Sequence, residues 1–168
     1  MKKNLFANLK EIKNYFLKKE NIYYFFLIIT IFFLDRYTKF QIINNFNENI
    51  YFVNNFINID LIWNTGISFG LLSSDSSLIY NSISSIIGLV IIFLVYFIII
   101  SSRTDKVIFS IIVGGAVGNF YDRLIYRAVP DFIDLHYQNF HWFTFNLADI
   151  FITIGIVAYI FKDLIMRQ

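Results

Sequence analysis

Cysteine is absent from the 168 residues, so disulfide frameworks, thiol nucleophiles and Cys-based zinc or iron–sulfur centres are all excluded. Proline occurs once, and Asp, Glu, Lys and Arg together make up only 15% of the chain. Disorder requires the opposite balance, many charges and few apolar residues, and is excluded as well. The length leaves room for one domain and no second catalytic module. A net charge of +2 is too small to recommend a nucleic-acid partner. What the chain does have is apolar surface. Residues of the set AVILMFWYC account for 57%, with 21 Phe and 11 Tyr, more than a small soluble domain can bury. A membrane is the natural sink for it.

A spanning helix needs roughly 20 mostly apolar residues to cross a core of about 30 Å. Four windows qualify, at 22–43, 77–100, 107–125 and 146–161. The expected fold is therefore an all-α polytopic membrane protein with outer loops at 44–76 and 126–145. Orientation follows from the basic residues, which short segments keep on the cytoplasmic side. Residues 1–21 carry six lysines, Arg103 and Lys106 lie between the second and third windows, and Lys162 and Arg167 close the chain. The 44–76 link has no Lys or Arg and carries Glu48, Asp60 and Asp75 instead. Both termini are thus expected inside. Leu5, Leu9, Ile12 and Phe16 fall at helical spacing among the leader lysines, which suits either an amphipathic helix on the inner leaflet or an unstructured basic anchor.

The outer loops are patterned. Ile57, Ile59, Leu61 and Trp63 alternate with Asn58, Asp60, Ile62 and Asn64 near period two, the mark of a half-buried strand. A second extended run, 129–137, contains Pro130, which restricts it to an edge or a strand start. Together they predict a small extracytoplasmic β-rich region surrounded by interfacial aromatics such as Trp63, Tyr137, Phe140 and Trp142.

Carboxylates in or beside a hydrocarbon span cost at least about 2.5 kcal/mol each and call for a partner or a purpose. Asp35, Asn119, Asp122, Asn146 and Asp149 all fall toward the outer ends of their windows, and Asp131 lies in the loop between the last two. Residues three apart share a helix face, so Asn119 points with Asp122 and Asn146 with Asp149. Asn146 and Asp149 also fit a reciprocal N-cap. Asp35 and Lys39 fit an i, i+4 ion pair, Asp122 and Arg123 fit structural hydrogen bonding, and Gly114, Gly115 and Gly118 fit close helix approach. Asp131 and Asp149 form the candidate catalytic pair. Two carboxylates held together near a low-dielectric boundary do not both ionise, so one can take a proton from water while the other donates to a carbonyl oxygen. His136 and His141, five apart with no Glu between them, do not match a helical zinc motif and read as interface residues. The pattern calls for no metal and no cofactor.

These residues fall into blocks that resemble lipoprotein signal peptidase (signal peptidase II), the family of bacterial intramembrane aspartic proteases. The blocks are Asp35-Arg36-Tyr37-Thr38-Lys39, Asn64-Thr65-Gly66-Ile67-Ser68-Phe69-Gly70, the run GGAVGNFYDR from Gly114 to Arg123, Val129-Pro130-Asp131-Phe132, and Phe145-Asn146-Leu147-Ala148-Asp149. The resemblance implies that Asp131 and Asp149 are the catalytic dyad. It also implies that Asn64, Asn119, Asp122, Arg123 and Asn146 position the substrate or the dyad, and Asp35, Lys39 and Gly66 are further candidates for binding substrate or positioning the dyad. It further implies a monomer in the bacterial inner membrane, in contact with membrane lipids and inhibited by globomycin-type peptides. The substrates that the resemblance implies are diacylglyceryl-prolipoproteins, cut on the amino side of the lipidated cysteine. Pro130 stands where the family has a β-branched or small residue, Ile67-Ser68 replace two common alanines, and the basic leader is longer than the family minimum. The rival reading is a non-enzymatic transporter or scaffold subunit whose buried acids form a proton path.

Overall fold

The apolar windows do form helices. In the computed structural model, which describes residues 19–45, 50–66 and 77–166, these are α1 (Lys19–Asn45), α2 (Ser77–Ile100), α3 (Arg103–Tyr126) and α4 (Leu147–Met166). The basic leader, apart from its last residues, and residues 67–76 between the first two helices lie outside the described residues. Charged residues extend three helices beyond the apolar windows. α3 begins at Arg103 because Ser102 caps it, its side chain accepting a hydrogen bond from the Asp105 amide. The same helix ends where Arg127 adopts a left-handed conformation with φ 55°, turning the chain into the sheet.

The expected β-rich region is a single sheet, larger than the two patterned runs alone. The 44–76 and 126–145 segments each contain a hairpin, and the strands β1 (Tyr51–Asn54), β2 (Ile57–Asn64), β3 (Val129–Tyr137) and β4 (Phe140–Phe145) form one antiparallel sheet in the order β1-β2-β3-β4. β2 and β3 keep the bounds that their patterns predict. β1 and β4 are additions, since YFVN is short and FHWFTF has aromatic residues on both faces. Pro130 sits at the start of β3, opposite Trp63, so the missing amide falls where a central strand tolerates it. A register irregularity between Ile59 and Ile62 on β2 follows, just before the pairing of Ile62 with Asp131. Such bulges re-aim the side chains beside them.

α3 packs against each of the other three helices, and its small residues make this possible. A Cβ on Gly115 would lie 2.5 Å from the Ala148 carbonyl oxygen of α4, and one on Gly118 would lie 2.5 Å from Asp35 Oδ2 of α1. Gly115 thus permits a backbone approach, as expected, while Gly118 makes room for a carboxylate. On the α1 side, Ile31, Asp35, Lys39 and Ile42 recur at helical spacing and are all buried, a stripe of mixed apolar and charged character. Ile98, Phe109 and Val113 form the apolar core next to it.

The outward faces are the reverse of a soluble protein's. Phe26, Phe33 and Phe40 on α1, Leu89 and Phe93 on α2, Leu124 on α3 and Ile165 on α4 are each more than half exposed, a broad apolar surface that water would not tolerate. Among the described residues, two helices are long and apolar enough to cross a membrane, α2 from Leu78 onward and α3. α1 carries Asp35, Arg36 and Lys39, and α4 carries Asp149, Lys162 and Asp163, which lowers their average hydropathy.

Candidate active site

The site is assembled at the end of the bundle where α3 finishes, α4 starts and β2 and β3 meet. Its local origin is the start of α4. The first amides of a helix have no intrahelical acceptor, and Asn146 supplies one: its Oδ1 accepts from the Asp149 amide at 3.1 Å, while Asp149 Oδ2 accepts from the Asn146 amide at 3.1 Å. This is the reciprocal capping box that the spacing suggests. A third acceptor arrives from α1, where Asp35 Oδ1 accepts from the Ala148 amide at 3.1 Å.

Capping leaves polar atoms of Asn146 and Asp149 to spare, and these build the site. Asn146 Nδ2 donates to Asp131 Oδ1 at 2.6 Å. Asn64 Nδ2 donates to Asp131 Oδ2 at 2.8 Å, and Asn119 Nδ2 donates to Asp149 Oδ1 at 2.8 Å. Asp131 and Asp149 line one small cavity of about 150 Å³, together with Asn64, Asn119 and Arg123, and Ile87, Ala116 and Ile152 supply apolar wall. Since a water occupies about 30 Å³ of liquid, the cavity has space for a few waters.

Arg123 ties the cavity wall to the end of β2. Its Nη2 donates to the Gly66 carbonyl at 2.8 Å and its Nη1 to the Asn119 carbonyl at 3.3 Å. The Gly66 amide in turn donates to Asn64 Oδ1 at 2.9 Å, so the end of β2 is fixed with its asparagine toward Asp131. Tyr80 of α2 donates through its hydroxyl to the Arg123 carbonyl at 3.0 Å.

Behind Asn119 lies a buried ion cluster. Lys39 Nζ donates to Asp35 Oδ2 at 2.9 Å, Asn119 Oδ1 at 2.8 Å and Asp122 Oδ2 at 2.7 Å, and Arg36 Nη1 lies 2.6 Å from Asp122 Oδ1. Two carboxylates and two cations make the cluster neutral, which is how a low-dielectric interior accommodates charge. The expected Asp35–Lys39 pair is present, but it is one edge of this larger network.

Burial pushes the Asp131 carboxyl up to about 6, and the nearby Asp149 charge pushes in the same direction, while the Asn64 and Asn146 amides pull it back. Asp131 is only 3% exposed. A carboxyl in that range exchanges its proton near neutral pH, as an acid–base group must.

The candidate residues of the sequence, from Asp35 and Lys39 to Asn146 and Asp149, therefore belong to one connected network around this cavity. Sequence reasoning misses three participants. Arg36 sits inside a quoted block without an assigned partner, and Tyr80 and the Ala148 amide carry no signal that sequence spacing reveals. The two histidines lie elsewhere, on the sheet, where His141 Nδ1 is 2.7 Å from buried Asp134 and the two imidazoles stack at 5.4 Å.

Fold and site together define a membrane enzyme, and solved structures share its architecture. A bacterial membrane enzyme solved at 2.3 Å superposes with a TM-score of 0.74 and 30% identity, covering 84% of this chain and 87% of that one. Another, solved at 1.9 Å, gives 0.70 and 29% with 84% and 92% covered. The chain belongs to the signal peptidase (SPase) II family, whose model matches residues 27–165. The lipoprotein signal peptidase of Pelagibacter ubique (strain HTCC1062) is 48% identical over 146 residues, 84% of this chain and 87% of that protein. That of Francisella tularensis subsp. novicida (strain U112) is 37% identical over 158 residues, 90% and 98% respectively.

Proposed function

We propose that this protein removes signal peptides from prolipoproteins as a metal-independent aspartic endopeptidase with Asp131 and Asp149 as its dyad. One observation carries the reading: the two carboxyls line the same cavity and share Asn146, whose main-chain amide donates to Asp149 and whose side-chain amide donates to Asp131. One member of the pair keeps a proton, the other takes one from water, and the resulting hydroxide attacks the scissile carbonyl while the protonated member donates to its oxygen. Collapse of the tetrahedral intermediate returns a proton to the leaving amine. The proton belongs to the coupled pair and is not assigned to either residue alone.

The substrate in this reading carries diacylglycerol on a cysteine and is cut on that residue's amino side. Such a molecule stays in the bilayer and brings its scissile bond to the interface where the dyad lies. The four helices then span the inner membrane of a bacterium with both termini inside, the sheet lies on the outer face among Trp63, Phe140 and Trp142, and the enzyme works as a monomer. Charges on α1 and α4 are compatible with spanning because Asp35, Lys39 and Asp149 face the bundle interior and are partnered there. A globomycin-type peptide would inhibit by occupying the dyad cavity. The transporter reading is not favoured, because a proton path needs acids continuing toward the other face and α2 has none.

The test is purified full-length protein in detergent, given a diacylglyceryl-modified prolipoprotein and its unmodified form. Cleavage before the modified cysteine is expected with kcat/KM at least about 100-fold above the unmodified form, since each buried methylene contributes about 0.8 kcal/mol. A chelator should leave the rate unchanged. Equal turnover of both forms, or no cleavage of either, contradicts the proposal.

A further inference from the structure

We infer that Lys39 is a positioning residue that fixes which end of the Asn119 amide faces Asp149, so that the amide always favours that carboxyl's charged form. The inference rests on the proposed dyad and concerns how one of its members is held.

An asparagine side chain has an acceptor end and a donor end, and only its partners decide which way it points. An ammonium can only donate. Lys39 is 1% exposed and all three of its N–H groups are used, on Asp35, Asn119 and Asp122. The end of Asn119 that faces Lys39 must therefore be oxygen, and the end that faces Asp149 must be the NH₂ group, as the 2.8 Å contact to Asp149 Oδ1 has it.

The other two amides around the dyad are fixed in the same manner but by main-chain donors. Asn64 has its oxygen on the Gly66 amide and Asn146 has its oxygen on the Asp149 amide. Each of these three side-chain amides therefore presents a donor to a dyad carboxyl, and only Asn119 owes its orientation to another side chain. The distinction matters whenever the shared proton sits on Asp149. A freely turning amide would then rotate to accept from the neutral carboxyl and stabilise it, slowing return of the proton. With Lys39 in place the amide cannot turn, and its donor favours the charged form at every stage.

Lys39→Met alone strands Asp35 and Asp122 with one cation, and loss of folding would follow. The double variant Asp35→Asn/Lys39→Met avoids this, since it stays neutral, keeps the Arg36–Asp122 pair and retains an acceptor for the Ala148 amide. It is measured in wild-type and Asn119→Ala backgrounds with a lipidated substrate, with thermal melting as the control for folding. The expected result is a kcat loss of about 10- to 100-fold with KM little changed, the worth of one hydrogen bond to a charged group. In the Asn119→Ala background the same pair of changes should cost less than about 3-fold further, because residues acting through one another are not additive. Equal losses in both backgrounds, or an unchanged kcat in the folded double variant, would overturn the inference. Failure of the unaltered protein to cleave would instead sink the proposed function.

Discussion

Asp131→Asn and Asp149→Asn each lower kcat by about 10⁴-fold or more while the protein still inserts and folds. In the proposed mechanism each change removes one of the two proton-transfer partners, and such steps contribute about 10² to 10⁴ each. The pair works as a unit, so the double variant should be no slower than either single one. Folding survives because both substitutions keep size and an acceptor oxygen. The side chain that replaces Asp149 can still accept from the Asn146 main-chain amide, and the one that replaces Asp131 can accept from one of its two amide donors. The check is cleavage of a lipidated reporter alongside a thermal melt. Turnover within about tenfold of the unaltered protein by either variant, a rise of no more than about 1.4 kcal/mol in the barrier, removes that residue from the proposed dyad.

Asn146→Ala has the next largest expected effect, and it separates into two parts. Loss of the cap on α4 costs about 1 kcal/mol of stability. Loss of the 2.6 Å donor to Asp131 costs about another 1.5–3 kcal/mol where the carboxyl is charged, and an expected fall in kcat of about 100-fold. Asn146→Ser distinguishes them. Serine is a good N-cap but is too short to reach Asp131, so melting should return toward the original temperature while kcat stays low. Recovery of both together would mean that Asn146 acts only as a cap.

Much of the site is legible along the chain because it is local. The 57–64 alternation gives β2, the Asn146–Asp149 spacing gives the capping box, and Asp35–Lys39 gives an ion pair one helical turn apart. Gly114, Gly115 and Gly118 announce a close helix crossing, though nothing in their spacing says that the space at Gly118 is filled by the Asp35 carboxylate. What is not legible is long-range. Lys39 reaches Asn119 and Asp122 across 80 and 83 positions, and Asn64 meets Asp131 across 67, through a bulge that no periodicity encodes. β1 and β4 escape notice because pairing partners rather than alternation make them strands. Family resemblance could collect these residues into one site, and the packing of α3 against α1 and α4 supplies the physical reason they meet.

The central claim, that Asp131 and Asp149 share a proton, is tested most directly by following aspartate carboxyl protonation by infrared difference spectroscopy on isotope-labelled protein in nanodiscs, across the acid side of neutrality. One carboxyl should titrate with a midpoint about 6, disappear in Asp131→Asn, and move to lower pH in Asp149→Asn, where the neighbouring charge that raises it is gone. A midpoint unchanged by Asp149→Asn would show that the two carboxyls do not sense each other, and the dyad would not exist.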